Sequence, residues 1–190
     1  MTVGLEGAAT RCFVACWPDD ATRTLLDDAA QQASRRYPNA RRVPRDNLHL
    51  TLAFIGELPE PRAVEAVQAL RDAVDQAFEW RIDHVGRFER ARVVWAGGQP
   101  EPRLVRMAEL VRKQLQSLAI RFDPKPFVPH VTLLRDVRLA SQRSARPATD
   151  TAGVAEPLAP FGWPIRDARL MLSERTPQGA TYYREFRIVV

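Results

Sequence analysis

Hydrophobic positions along this chain recur at spacings of two or of three to four, and the switch between them separates strands from helices. The apolar run RCFVACW, residues 11–17, predicts a buried strand. Asp19 or Asp20 is placed to cap the helix after it, whose Leu25, Leu26, Ala29, Ala30 and Ala33 share one face. A basic loop, 35–46, leads into NLHLTLAFIG, an apolar strand that Gly56 is expected to stop. The segment PEPRAVEAVQALRDAVDQAF sets Val64, Val67, Leu70, Val74 and Phe78 at helical spacing behind an N-terminal proline. Residues 80–88 and 91–97 predict two strands with a short connection. A further helix begins near Pro102 and turns Leu104, Met107, Val111, Leu115 and Leu118 inward. The FVPHVTLL strand follows, then a polar stretch over 141–160, then strands at 166–173 and 181–190. The polar stretch is read as a surface excursion, with a mobile lid as the alternative.

The order of elements repeats. Shifting the first half by 81 positions sets the strand from Arg11 on that from Arg92 and the helix holding Leu26 on that holding Met107. The same shift lays His49-Leu50-Thr51-Leu52 on His130-Val131-Thr132-Leu133. Identity elsewhere is low, so the shift implies two similar β-α-β units without proving a duplication. The expectation is one domain over 1–190, with units at about 11–90 and 91–190.

Composition adds little to this picture. The chain is 45% hydrophobic and 27% charged, with mean hydropathy −0.30. No apolar run is long enough to cross a membrane, and MTVGLEGAAT lacks the features of a signal peptide, so a cytoplasmic location is the expectation; nothing suggests an obligate partner, and a monomer is expected. The formal charge is +5, and all but Lys113 and Lys125 of the 28 Lys and Arg residues are arginine. A basic, arginine-rich surface suits an anionic partner, though compositional bias gives the same numbers. Cys12 and Cys16 fall on one face of a strand about 13 Å apart, beyond disulfide reach, and are expected as buried core thiols.

Two of the three histidines begin the same H-x-T-L tetrad. In a strand, residues two apart share a face, so His49 and Thr51 project together, as do His130 and Thr132, with Leu50, Leu52, Val131 and Leu133 behind them. Face-to-face packing of the units would converge two imidazoles and two hydroxyls on one cleft. Hydroxyls donate to phosphate oxygens, and imidazoles move protons at ester bonds near neutral pH. One imidazole must be neutral to accept a proton and the other charged to give one. A two-histidine zinc site is the rival and lacks a clear third ligand. His84, with no threonine two residues on, reads as structural.

NLHLTLAFIGEL and PFVPHVTLLRDV resemble the two signature strands of the 2H phosphoesterase superfamily. They resemble in particular its RNA 2′,3′-cyclic phosphodiesterase branch, whose members are also described as 2′-5′ RNA ligases. The resemblance covers nearly the whole chain, including RCFVACW, GRFERARVVWAG and YYREFRIVV. It implies a bilobal, pseudo-symmetric α+β fold with an antiparallel sheet in each lobe, helices outside and the active site in the cleft between. It implies His49 as proton donor to the leaving 3′ oxygen, His130 as proton acceptor from water, and Thr51 and Thr132 as phosphate ligands. It also implies that Phe54 meets the nucleoside and Arg135 the phosphate. Strict alternation argues otherwise, since it turns both away from the histidines. The loop RRVPRDN departs from the family pattern, which commonly carries an aromatic residue there.

The implied reaction is hydrolysis of RNA or small-nucleotide 2′,3′-cyclic phosphates to a 2′-phosphomonoester, with no metal and no cofactor. The alternatives are 2′-5′ ligation of RNA ends by the same histidines, and a nucleotide- or RNA-binding module without turnover.

Overall fold

The structure is a computed structural model that describes residues 10–70, 76–138, 153–175 and 181–186. Its elements run β1 (Thr10–Cys16), α1 (Asp20–Arg36), β2 (Arg41–Arg42), a 3-10 turn (Arg45–Asn47) and β3 (Leu50–Leu58). There follow α2 (Glu60–Leu70), β4 (Phe78–Phe88), β5 (Val93–Gly97), α3 (Pro102–Ser117) and β6 (Val131–Arg135). The chain then forms β7 (Gly153–Ile165), β8 (Arg169–Arg175) and β9 (Thr181–Glu185). This is an α+β fold whose strand pairs are antiparallel.

The strands join in the order β7-β4-β5-β6-β3-β1-β8-β9, with β2 added to β6. Two four-stranded runs therefore meet at β6 and β3, and they meet through a single residue pair, Leu50↔Val131. Each member of that pair directly follows a tetrad histidine, and the 81-residue shift maps one onto the other. The helices cross over: α1 packs on β6 and α3 on β3, so each unit's helix covers the other unit's strand. Neither half encloses its core alone.

Local chemistry accounts for the helix starts. The Asp19 carboxylate accepts from the Thr22 amide at 2.8 Å, and Glu101 from the Leu104 amide at 2.9 Å ahead of Pro102, each cap worth about 1 kcal/mol. Leu26, Ala29 and Ala30 are buried as expected, but Leu25 is 42% exposed on the other side of α1. In α2 the buried stripe is Ala63, Ala66 and Leu70, with Val64 and Val67 only partly covered.

Several boundaries differ from expectation. Gly56, at φ 90°, does not stop β3, which continues to Leu58. Phe78 opens β4 rather than closing a helix, and the helical position of Val74 falls outside the described residues. The polar stretch 141–160 is in part a strand, because β7 begins at Gly153; the lid question falls on 139–152, outside the described residues. Cys12 and Cys16 are buried and form no disulfide. Among the described residues no helix is long and apolar enough to cross a membrane.

Candidate active site

His49 and His130 each sit one residue ahead of a strand, and the same local bond fixes both rings. Nδ1 of His49 lies 2.7 Å from the Asn47 carbonyl, and Nδ1 of His130 lies 2.7 Å from the Val128 carbonyl. A carbonyl oxygen only accepts, so each Nδ1 carries hydrogen and donates. Each neutral ring therefore keeps its lone pair on Nε2, the nitrogen left for chemistry.

The surroundings of the two rings are unlike. Trp17 stacks on His49 at 5.1 Å with the planes 2° apart, Phe13 lies at 4.9 Å, and Tyr183 stands edge-on at 5.1 Å. Asn47 ties this cage together, because its side-chain amide also donates to the Thr181 carbonyl of β9 at 2.8 Å. Burial in the cage pushes His49 down from 6.5 to about 4, opposed by the Asn47 carbonyl and aided by the charges of Arg135 and His130. His130 has Phe88 edge-on at 5.0 Å and Trp95 at 6.3 Å. Its pKa is lowered as well, chiefly by burial, against the Val128 carbonyl and with the charge of Arg135. Both rings thus stand within the field of one guanidinium.

A groove of about 710 Å³ opens beside them, lined among others by Thr51, Phe54, Phe127, His130, Thr132 and Arg135. His49 is not one of its lining residues and stays in the adjoining cage. Five of the six residues singled out from the sequence therefore line one cavity, and the sixth is electrostatically coupled to it.

Phe54 and Arg135 reach the groove because alternation fails in both strands. β3 pairs Val14 with Ala53 but Ala15 with Thr51, skipping Leu52; β6 pairs Val94 with Leu134 but Trp95 with Thr132, skipping Leu133. Each is a β-bulge, and each leaves two successive residues buried: Leu52 with Ala53, and Leu133 with Leu134. One extra residue inverts the faces beyond it. Phe54 and Arg135 thus return to the side of Thr51 and Thr132, and the expectation from strict alternation is overturned at both. Phe54 is 40% exposed there, with the Arg11 guanidinium 5.5 Å from its ring. The Arg135 side chain has no hydrogen bond or ion pair among the described residues, which leaves its fork open to an anion.

One wall rests on Arg112 of α3, which the sequence did not single out. Its Nε donates to the Leu52 carbonyl, at the bulge, at 3.3 Å, and its Nη1 to the Lys125 carbonyl at 2.8 Å. The Asp123 amide donates to the Phe54 carbonyl at 2.8 Å, closing the same wall. Phe13, Trp17 and Tyr183 were not singled out from the sequence; the signal for the first two was their spacing of four, from within β1 to the residue just past its end. His84 stays outside the site, with Nδ1 2.8 Å from an Asp83 oxygen and its ring edge-on to Trp95. Among the described residues no three His, Cys, Asp or Glu side chains gather as a metal site would need.

Comparison with known proteins gives the family and the fold. A family profile described as the 2′-5′ RNA ligase superfamily matches residues 18–177. The RNA 2′,3′-cyclic phosphodiesterase of Escherichia coli is 41% identical over 98 residues, spanning 50% of this chain and 55% of that protein. That of Archaeoglobus fulgidus is 32% identical over 178 residues, 90% of this chain and 96% of that protein. The crystal structure of E. coli LigT complexed with 3′-AMP superposes with TM-score 0.73 at 27% identity, covering 95% of this chain and 97% of that one.

Proposed function

The chain belongs to the 2′-5′ RNA ligase superfamily, the 2H phosphoesterases, and from that premise we propose that it hydrolyses RNA 2′,3′-cyclic phosphate ends to 2′-phosphomonoesters. The observation that carries the reading is the pair of imidazoles with Nδ1 fixed on a carbonyl two residues upstream and Arg135 acting on both.

In this mechanism the cyclic phosphate binds with its non-bridging oxygens toward the Thr51 and Thr132 hydroxyls and the Arg135 guanidinium. Nε2 of His130 takes a proton from water as the water oxygen attacks phosphorus. The bond from phosphorus to O3′ breaks, and the protonated Nε2 of His49 gives its proton to the departing oxygen. The phosphate remains on O2′. Arg135 and the hydroxyls oppose the charge that builds on the equatorial oxygens, where preorganised donors count for most. Burial, and less so the charges of Arg135 and His130, hold His49 toward its neutral form in the free protein, so the donor role requires the negative charge of the bound phosphate to raise the imidazole. The chemistry asks nothing of a metal. Catalysis sits at the seam where the two strand runs meet through Leu50 and Val131.

The test is hydrolysis of a nucleoside 2′,3′-cyclic phosphate in EDTA by the wild type, His49→Ala and His130→Ala, with the product isomer identified. Turnover to the 2′-phosphate that both substitutions abolish supports the reading. Turnover that either substitution leaves intact, or a wild type that needs a divalent ion, would sink it.

A further inference from the structure

The segment ahead of the first histidine is laced to the strand after the second. Arg41 and Arg42 pair with Arg135 and Leu134, and the Val43 amide donates to the Leu133 carbonyl at 2.9 Å. Residues directly opposite in an antiparallel pair share a face, with β-carbons about 5 Å apart. Leu134 is buried, and Arg42 on its side reaches Asp27 of α1 at 3.8 Å. Arg41 therefore projects with Arg135, on the face that carries Thr132 and the groove.

Like charges directly opposite repel, unless an anion lies with them. Among the described residues this pair meets one carboxylate, Asp136, whose Oδ2 accepts from Nε of Arg41 at 3.2 Å. Asp136 is itself held at φ 59°, in the left-handed region, where it turns the chain at the end of β6. Arg41 keeps both Nη groups without a partner among the described residues, and its side chain is 65% exposed. Two guanidinium groups against one carboxylate form a cationic step leading away from the histidines. The reacting phosphate occupies Arg135, so a site beside it takes a second phosphate on the same strand.

We propose that Arg41 binds the phosphate on the 5′ side of the terminal nucleotide, so that the protein favours an RNA end over a cyclic mononucleoside phosphate. The inference rests on the cyclic-phosphodiesterase reading and adds to it how the two substrate classes are told apart. A nucleoside 2′,3′-cyclic phosphate lacks that 5′ phosphate; a nucleotide within RNA has it. A single exposed, charge-assisted contact corresponds to a preference of about tenfold.

The experiment compares kcat/KM for a nucleoside 2′,3′-cyclic phosphate and for its 5′-phosphorylated counterpart, using wild type, Arg41→Ala and Arg41→Lys. The expected result is a wild-type preference of about tenfold for the 5′-phosphorylated substrate. Arg41→Ala should remove that preference and leave the unphosphorylated substrate within about twofold, while Arg41→Lys keeps part of it. The preference should shrink in high salt. A damaged fold would lower both substrates together, so the ratio within one protein isolates the contact. A wild type that turns over both substrates equally, or an Arg41→Ala variant that loses both to the same degree, overturns the assignment of Arg41 alone. A wild type inert on both overturns the cyclic-phosphodiesterase reading and this inference with it.

Discussion

Removing the ring that stacks on His49 should release its imidazole. Trp17 lies 5.1 Å from it and within 2° of parallel, covering one face, while Phe13 and Tyr183 cover other approaches. Burial is the largest cause of the low His49 pKa, and the charges of Arg135 and His130 contribute the rest of the lowering. In Trp17→Leu those charges stay, and water reaches one face of the ring. The gap between 6.5 and about 4 corresponds to ~3 kcal/mol between the two protonation states. With one of three rings removed, about a third to a half of it should be recovered, a rise of about one pH unit. The direct assay follows the His49 ring protons by NMR across pH 3–8 in the free protein, assigned with His130→Ala.

Linkage gives the same perturbation a second, independent readout. A histidine whose folded pKa lies below its unfolded value favours folding while neutral. That contribution is present above about 6.5 and is lost as pH falls through about 4. Wild-type Tm should therefore decline between pH 6.5 and 4 more steeply than that of His49→Asn. Trp17→Leu loses packing and melts lower at pH 7, yet its Tm should fall less over that window. A variant that stays folded while its His49 still titrates near 4, with an unchanged Tm slope, would refute the cage as the cause.

Two further substitutions probe the groove. Phe54→Ala should raise KM roughly tenfold for a base-bearing substrate, since stacking on an aromatic ring is worth ~1–3 kcal/mol per base, and should hold kcat within about threefold; ribose cyclic phosphate without a base should be unaffected, and an equal loss on it would place Phe54 in the core instead. Arg112→Met keeps the aliphatic stem but removes the donor to the part-buried Leu52 carbonyl and the exposed contact to Lys125, so stability should fall by ~1 kcal/mol and Tm by a few degrees, with KM rising as the wall loosens; a calorimetric Tm equal to wild type would show that the Leu52 carbonyl finds water at no cost.

The tetrads were legible because their information is local. A histidine and a threonine two residues apart on a strand share a face whatever lies around them, and apolar spacing alone marks α1, α3 and the core of β3. What escaped was set by partners distant in sequence. LTLAF and VTLLR each open on the alternation of a regular strand, with the threonine facing away from its apolar neighbours, and only the residues after it depart from that pattern. The bulge exists in the register against β1 and β5. Its trace was a doubled apolar pair at the same place in both halves, Leu52-Ala53 and Leu133-Leu134, which alternation treats as noise. β2 was invisible for the opposite reason: two exposed arginines carry no strand signal, and β6 alone makes them one.

The symmetry of the strands and the asymmetry of their surroundings do different jobs. The pair Leu50↔Val131 joins equivalent residues of the two halves, so a twofold relation through it sets His49 and His130 on either side with the same Nδ1 bond and the same free Nε2. A perfect duplicate would stop there, with two histidines of equal basicity competing for one proton. Acid–base catalysis needs the two held in opposite states. Here the halves diverge at the positions that touch the rings: Trp17, Phe13 and Tyr183 enclose His49, while His130 opens on the groove beside Phe88. Repetition supplied the matched pair; divergence in the neighbouring strands makes its members unlike, and in the free protein the caged His49 is pushed toward the neutral form, so its donor role depends on the negative charge that a bound phosphate brings.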